Sequence, residues 1–240
     1  MTTTNIEMLE RAAALLAQLP DAVVYLGGAT IELWATDEAA PDFRPTVDVD
    51  VVVEVATLGA YYQFEDRLRA IGFSNDEEDG VICRFRHGDP ELVLDAMPPD
   101  TSILGFENRW QASSLPHAIE RTLPSGRVIS VISPPYLLAT KLEAYRSRGE
   151  DDLYGSRDFE DVILLIDSRV ELAEEVSTSD PELRSFVSTE LADLRRQSSF
   201  DSAGEGMLKG GFETQARWEQ VDCPRIEAIV DGHPNADAHD

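Results

Sequence analysis

Lysine is nearly missing from this chain. Only Lys141 and Lys209 among its 20 basic residues are lysine, set against 46 acidic residues and a formal charge of −26. So little positive charge excludes the basic stripe with which most proteins hold nucleic acid tightly. Two origins fit the bias: a halophile, whose dense carboxylates keep protein hydrated in strong salt, or a high-GC genome that writes Arg for Lys. Cysteine is limited to Cys83 and Cys223, far apart, which excludes a disulfide framework and suits a reducing compartment. None of the four histidines, His87, His117, His233 and His239, has a spacing that points to zinc or catalysis. No apolar run approaches the ~18 residues of a transmembrane helix. Met1 to Thr4 carries no basic n-region, and residues 5–18 are amphipathic rather than uniformly apolar. The expectation is a soluble, cytoplasmic chain without membrane attachment, its 240 residues ample for a core.

What is present centres on Arg44-Pro45-Thr46-Val47-Asp48-Val49-Asp50-Val51-Val52-Val53. Its valines predict a buried strand. Strand residues two apart share a face, so Asp48 and Asp50 point the same way and repel unless a cation lies between them. A hard ion such as Mg²⁺ or Mn²⁺ suits two carboxylates. A solvated edge strand with two acids on its polar face is the plainer alternative. Upstream, Val23 to Leu26 predicts a short strand, followed by Gly27-Gly28-Ala29-Thr30 and a helical run from Ile31 to Ala35. Strand, glycine pair and helix start present backbone N–H groups to phosphate. A phosphate cradle beside a metal-binding acid pair makes up the two halves of a nucleotidyl-transfer site.

The remaining pattern divides at Pro134-Pro135. Before it, helices are predicted over 5–18 and 58–71, with Asp37 to Pro45 a loop and Asn75 to Gly80 an acidic turn. Strands are predicted over 81–86, 91–97 and 128–132, the first two forming a hairpin around His87 to Pro90. Asp95 ends the second hairpin strand, as a third acid for metal or base duty or as a turn residue before Pro98-Pro99. After the prolines the apolar period becomes 3.6, predicting helices over 136–148, 158–168, 169–177, 180–197 and 214–230. The organisation expected is a core over 1–133, a helical region over 134–231 and a loose tail over 232–240, in the α/β (α+β) class with a mixed sheet. No linker separates the two halves, which are expected to pack together.

Four motifs in this order, Gly27-Gly28-Ala29-Thr30, Arg44-x-Thr46-x-Asp48-x-Asp50, Lys141-Leu142-x-Ala144 and Arg157-Asp158-x-x-Asp161, resemble the AbiEii/AbiGii-type toxin nucleotidyltransferases of the DNA polymerase β-like nucleotidyltransferase superfamily. Pro181 to Phe186 and Gln215-Ala216-Arg217 extend the resemblance over nearly the whole chain. The loop between Gly28 and Asp48 is longer than in compact members. The resemblance implies a nucleotidyltransferase-type mixed-sheet core and transfer of NMP from an NTP to an acceptor hydroxyl. It implies Mg²⁺ or Mn²⁺ on Asp48, Asp50 and Asp95, and NTP phosphates at Gly27, Gly28 and Thr30. Arg44 would pair with phosphate or with the acidic surface; Thr46 would place its hydroxyl at the same edge or serve only as a β-former. Lys141, a retained point charge, would bind phosphate or be an incidental surface lysine. Asp158 and Asp161 would complete the site or simply decorate a helix N-terminus. RNA, tRNA in particular, is the implied acceptor, within a toxin–antitoxin or phage-defence pair and with an antitoxin as partner. A small-molecule acceptor and a non-catalytic nucleotide-binding protein are the alternatives.

Overall fold

Four of the six residues of strand β2 (Asp48–Val53) are valines at or near zero exposure, and this strand is the spine of the sheet. Each buried valine contributes roughly 1.5–3 kcal/mol of apolar transfer. In the computed structural model, which describes residues 4–55, 57–75, 83–88, 91–100, 108–148, 152–208 and 212–232, the chain divides into two compact units. The first takes 1–32 and 44–133, the second 33–43 and 134–240.

The first unit carries a seven-stranded mixed sheet in the order β3-β4-β5-β2-β1-β7-β6. Its strands are β1 (Val23–Leu26), β2, β3 (Ser74–Asn75), β4 (Arg84–His87), β5 (Leu92–Met97), β6 (Ile119–Thr122) and β7 (Val128–Val131). The β2–β5 and β1–β7 pairs are parallel and the others antiparallel. Helix α1 (Asn5–Leu16) packs against β2 and β5, with a capping box between Thr4 and Glu7 at its start. Helix α2 (Leu58–Ala70) buries Tyr61, whose hydroxyl donates to the Ala96 carbonyl on β5 at 2.6 Å.

Several elements differ from the sequence expectation. Gly28–Trp34 is a 3₁₀ helix, where an α-helix was expected from Ile31. Both the N–H and the hydroxyl of Thr30 close i→i+3 bonds onto the Gly27 carbonyl, which tightens this turn. Strand β6 and helix α3 (Arg109–Ser114) were not anticipated: β6 is a mostly exposed edge strand without apolar alternation. Most of the expected acidic turn (76–80), the hairpin residues Val81, Ile82, Asp89 and Pro90, Lys209, His233, His239 and nearly all of the tail lie outside the described residues.

The second unit is helical: α4 (Pro134–Ser147), α5 (Arg157–Ser168), α6 (Leu172–Thr178), α7 (Pro181–Arg195), α8 (Phe200–Met207), α9 (Phe212–Arg217) and α10 (Cys223–Asp231). Helix α5 is at its centre, buried from Asp158 to Ser168. Its last carbonyls need donors, and the 33–43 segment and α9–α10 supply them. Thr36 and Asp37 N–H bond Ser168 O, while Arg217 bonds Asp167 O and Arg225 bonds Ile166 O and Asp167 O. This ties Leu33–Phe43 to the helical unit. Helix α8 was missed because Gly204 and Gly206 argue against a helix. Gly204 is there for fit, since a Cβ would lie 2.1 Å from the Trp218 ring.

The expected 214–230 helix is broken by a π turn at Trp218–Asp222, where Cys223 N–H reaches Trp218 O. Pro224 has no N–H for the carbonyl four residues back, and its ring crowds that carbonyl, which widens the turn. The turn leaves Asp222 fully buried near Asp167, Arg217 and Arg225. Burial first, and then the Asp167 carboxylate, push the Asp222 carboxyl up to about 8, against the two arginines. A raised acid pKa means that the folded state holds a proton the unfolded chain releases near 4. The resulting stability is complete below the unfolded value and is lost as pH rises through about 8. Thermal melts from about pH 5 to about pH 9 should therefore show wild type losing at most about 1.4 kcal/mol per pH unit. Asp222→Asn, neutral throughout, should give a flatter profile and melt above wild type at the alkaline end. Parallel profiles for the two proteins would refute a proton kept on Asp222.

Candidate active site

Strand register, more than any single motif, assembles the acidic edge of the first unit. Asp48 opens β2 and Asp50 follows on the same face. Parallel pairing sets Asp50 beside Asp95 of β5, and antiparallel pairing sets Asp95 beside Arg84 of β4. On its other side Asp50 pairs with Leu26, the last residue of β1 before Gly27. Acids, arginine and glycine turn thus meet where β1 ends and β2 begins.

Arg84 brings a cation among these carboxylates. Its Nε donates to Asp95 Oδ1 at 2.8 Å and its Nη2 to Asp95 Oδ2 at 2.7 Å, a two-pronged fork. The same Nη2 reaches Asp48 Oδ2 at 2.9 Å. All three side chains are largely buried, Asp48 the least so at 24% exposure. Among the described residues no three His, Cys, Asp or Glu side chains converge as a metal site, and a guanidinium supplies the positive charge between Asp48 and Asp95. Sequence reasoning missed Arg84. It alternates with buried Phe85, which fixes its face, but only the pairing across to β5 brings it to Asp95.

Gly27 is required by shape. Its φ is +79°, and a Cβ there would lie 1.9 Å from Asp50 Oδ2. The turn therefore presses bare backbone against the Asp50 carboxylate, and Thr30 holds the Gly27 carbonyl from inside. Gly28 opens the 3₁₀ helix, half-buried. Arg44 and Thr46 lead into β2 under a clamp that sequence reasoning also missed, the buried Asn5 at the start of α1. Asn5 Nδ2 donates to Arg44 O at 3.0 Å, and its Oδ1 accepts from Thr46 N–H at 2.9 Å. The Thr46 hydroxyl lies within hydrogen-bond reach of Asn5 Oδ1 and of the Asp48 carbonyl, so it fixes backbone. An asparagine in the first turn of an amphipathic helix gives no local sign of such a role. Cys83 next to Arg84 is no nucleophile: burial, and then the Asp95 carboxylate, push its thiol up to about 12.

The other candidates sit together in the second unit. Lys141 of α4 places Nζ 2.6 Å from Asp161 Oδ2 and 3.4 Å from Asp158 Oδ1, both on α5. Asp158 also pairs with Arg148, while the adjacent Arg157 points to solvent. The two acids are at most 3% exposed, so they are more than decoration of a helix end. Lys141 is accordingly their counter-ion within this unit, and not an incidental surface lysine.

No protein-family model matches the chain, and no curated protein does. Among solved structures it is similar to an antigenic nucleotidyltransferase-like protein from Paracoccidioides brasiliensis. The two share 18% identity over 86% of this chain and 94% of that one, at a TM-score of 0.54. At that identity the likeness is one of fold. The chain has a nucleotidyltransferase-like α/β fold, and the likeness does not extend to the AbiEii/AbiGii-type toxin family.

Two predictions follow from these contacts. Lys141→Ala removes the ammonium 2.6 Å from the buried Asp161 carboxylate and should cost about 3–5 kcal/mol in urea unfolding, with much of it regained in the Lys141→Met/Asp161→Asn double variant. A loss under about 1 kcal/mol would show that the pairs are incidental. Gly27→Ala meets both a positive φ and the Asp50 carboxylate, and should cost at least about 1–3 kcal/mol in thermal unfolding. An unchanged melting temperature would contradict the close packing on Asp50.

Proposed function

We propose that the chain is a divalent-metal-dependent nucleotidyltransferase that moves NMP from an NTP to an acceptor hydroxyl. The observation that carries this reading is the joining of Asp48 and Asp50, on one strand face, to a glycine turn packed directly on Asp50. Carboxylates without imidazole or thiolate are the donor chemistry of Mg²⁺ or Mn²⁺, and Asp48 and Asp50 are the residues to hold it. When bound, such an ion neutralises triphosphate oxygens and the charge that develops at the α-phosphorus. Asp95 anchors Arg84, so its part is positioning, while Gly27 and Gly28 offer backbone at a site too tight for any side chain on Gly27. Thr30 holds that backbone in place, and Thr46 bonds the Asp48 carbonyl at the start of β2. Lys141, Asp158 and Asp161, in the second unit, form a charge cluster that keeps α4 and α5 together.

For the acceptor, the resemblance to AbiEii/AbiGii-type enzymes favours RNA, with tRNA first and an antitoxin as the implied partner. A second reading rests on a specific observation: a charge of −26 repels a polyanion and accommodates a small hydroxyl compound. Salt separates the two. An acidic RNA-modifying enzyme gains on RNA as KCl rises from dilute to molar, because screening relieves repulsion, whereas a basic RNA binder loses affinity. The test is transfer of label from each α-labelled NTP into total RNA, and separately into small hydroxyl compounds, across a KCl series. Asp48→Asn and Asp50→Asn should each lower transfer by roughly 10²-fold or more. Label in RNA that grows with salt supports the RNA acceptor, and label only in small molecules supports the second reading. NTP binding with no transfer to any acceptor would overturn the enzymatic reading.

A further inference from the structure

Of the two acids that share a face of β2, Asp50 has a strand on each side: Leu26 of β1 lies opposite it and Asp95 of β5 flanks it. Asp48 lies past the end of β1 and pairs with Val93 of β5. The chain leading into Asp48 is gripped from α1. Buried Asn5 donates from Nδ2 to Arg44 O at 3.0 Å, and its Oδ1 accepts from Thr46 N–H at 2.9 Å. These partners fix which way the amide points, since a carbonyl only accepts and an N–H only donates. One donor and one acceptor set against the C=O of residue 44 and the N–H of residue 46 is the pattern that a residue of a parallel strand makes with its neighbour. An asparagine near a helix start commonly spends its side chain on its own backbone. Here the Thr4–Glu7 capping box serves α1, and the Asn5 carboxamide is spent on the strand entry. The Thr46 hydroxyl, 3.3 Å from Asn5 Oδ1 and 3.2 Å from the Asp48 carbonyl, carries the grip on to Asp48.

We propose that Asn5 is a positioning residue of the candidate active site: its carboxamide stands in for one residue of a parallel strand, fixes the backbone at 44–46 and so aims Asp48 beside Asp50. The proposal rests on the reading of Asp48 and Asp50 as residues of nucleotidyl transfer and adds what aims the first of them. A carboxylate goes where its backbone goes. The buried valines from Val49 to Val53 keep the body of β2, and Asp50 with it, in place. The entry at 44–46 precedes that apolar anchor, so losing the Asn5 grip tilts Asp48 and leaves the sheet intact. A misplacement of about 1 Å can cost a reaction about 10²-fold. Asn5 therefore sets the rate without touching a reactant.

The experiment compares Asn5→Ala, Asn5→Asp and Asn5→Gln in the full chain by amide hydrogen exchange at single residues and by transfer from α-labelled NTP. In Asn5→Ala the Thr46 amide should exchange about tenfold faster or more, with Val51 and Val52 as protected as in wild type. Transfer should fall by about 10-fold to 10²-fold, mainly in kcat rather than KM. Asn5→Asp keeps the acceptor for Thr46 N–H and loses the donor to Arg44 O. Its Thr46 amide should stay protected while transfer falls, and its rate relative to wild type should recover as pH drops and the new carboxyl regains a proton to donate. Asn5→Gln keeps both groups on a longer stem and should restore part of what alanine loses. Unchanged Thr46 exchange in Asn5→Ala overturns the grip. Faster exchange with transfer as in wild type overturns the positioning role. So does a loss of transfer that follows a loss of protection at Val51 and Val52, with glutamine no better than alanine, because the role is then only structural. Absence of transfer in wild type removes the nucleotidyl-transfer reading and the proposal with it.

Discussion

Burying a carboxylate away from water costs several kcal/mol unless a cation or a proton accompanies it, and this chain buries acids in both units with 20 basic residues to serve 46 acidic ones. The fold solves the problem locally and repeatedly. Arg84 serves Asp48 and Asp95, Lys141 and Arg148 serve Asp158 and Asp161, and Arg217 and Arg225 serve Asp37. Asp222, which lies among acids and arginines with an acid in excess, keeps a proton instead. Several of the scarce cations, Arg84, Lys141, Arg217 and Arg225 among them, thus sit half-buried beside these acids, where water screens a pair less than on the open surface.

That distribution shapes both units. In the helical one, α5 runs through the middle: Lys141 of α4 and Arg217 of α9 pair with its acids, Arg225 of α10 bonds its last carbonyls, and the 33–43 segment is held by N–H bonds to Ser168 O. In the sheet unit, the valines of β2 hold the strand in place and thereby hold Asp48 and Asp50 at its mouth. Stability and site are built from one strand. The valines cannot move without carrying the acids along.

The likeness to a nucleotidyltransferase-like structure agrees with this arrangement at the level of fold. What goes further is chemical: two carboxylates on one strand face, a third held in a guanidinium fork, and a glycine whose lack of a side chain lets backbone touch a carboxylate.

Much of this was legible in the residues alone. The valine run, the two acids sharing a face, the glycine turn after a short strand and the change of period after Pro134-Pro135 depend on neighbours a few positions apart, where sterics and periodicity act directly. The parallel pairing of β2 with β5, which sets Asp95 beside Asp50, is of another kind, and so are the reach of Arg84 across two strands, the Asn5 clamp on residues 44–46 and the capture of the 33–43 segment by α5. These join residues 36 to more than 130 positions apart, as in Arg84 to Asp48 and Thr36 to Glu171. Register decides them, and a slip of one residue would turn every side chain of a strand to the opposite face. The sequence by itself determined which residues were charged, paired on a face and bent at a glycine. Only the tertiary structure decided which cation each acid would meet, because an ion pair is chosen by distance in space and the chain fixes that distance only once its strands and helices have packed.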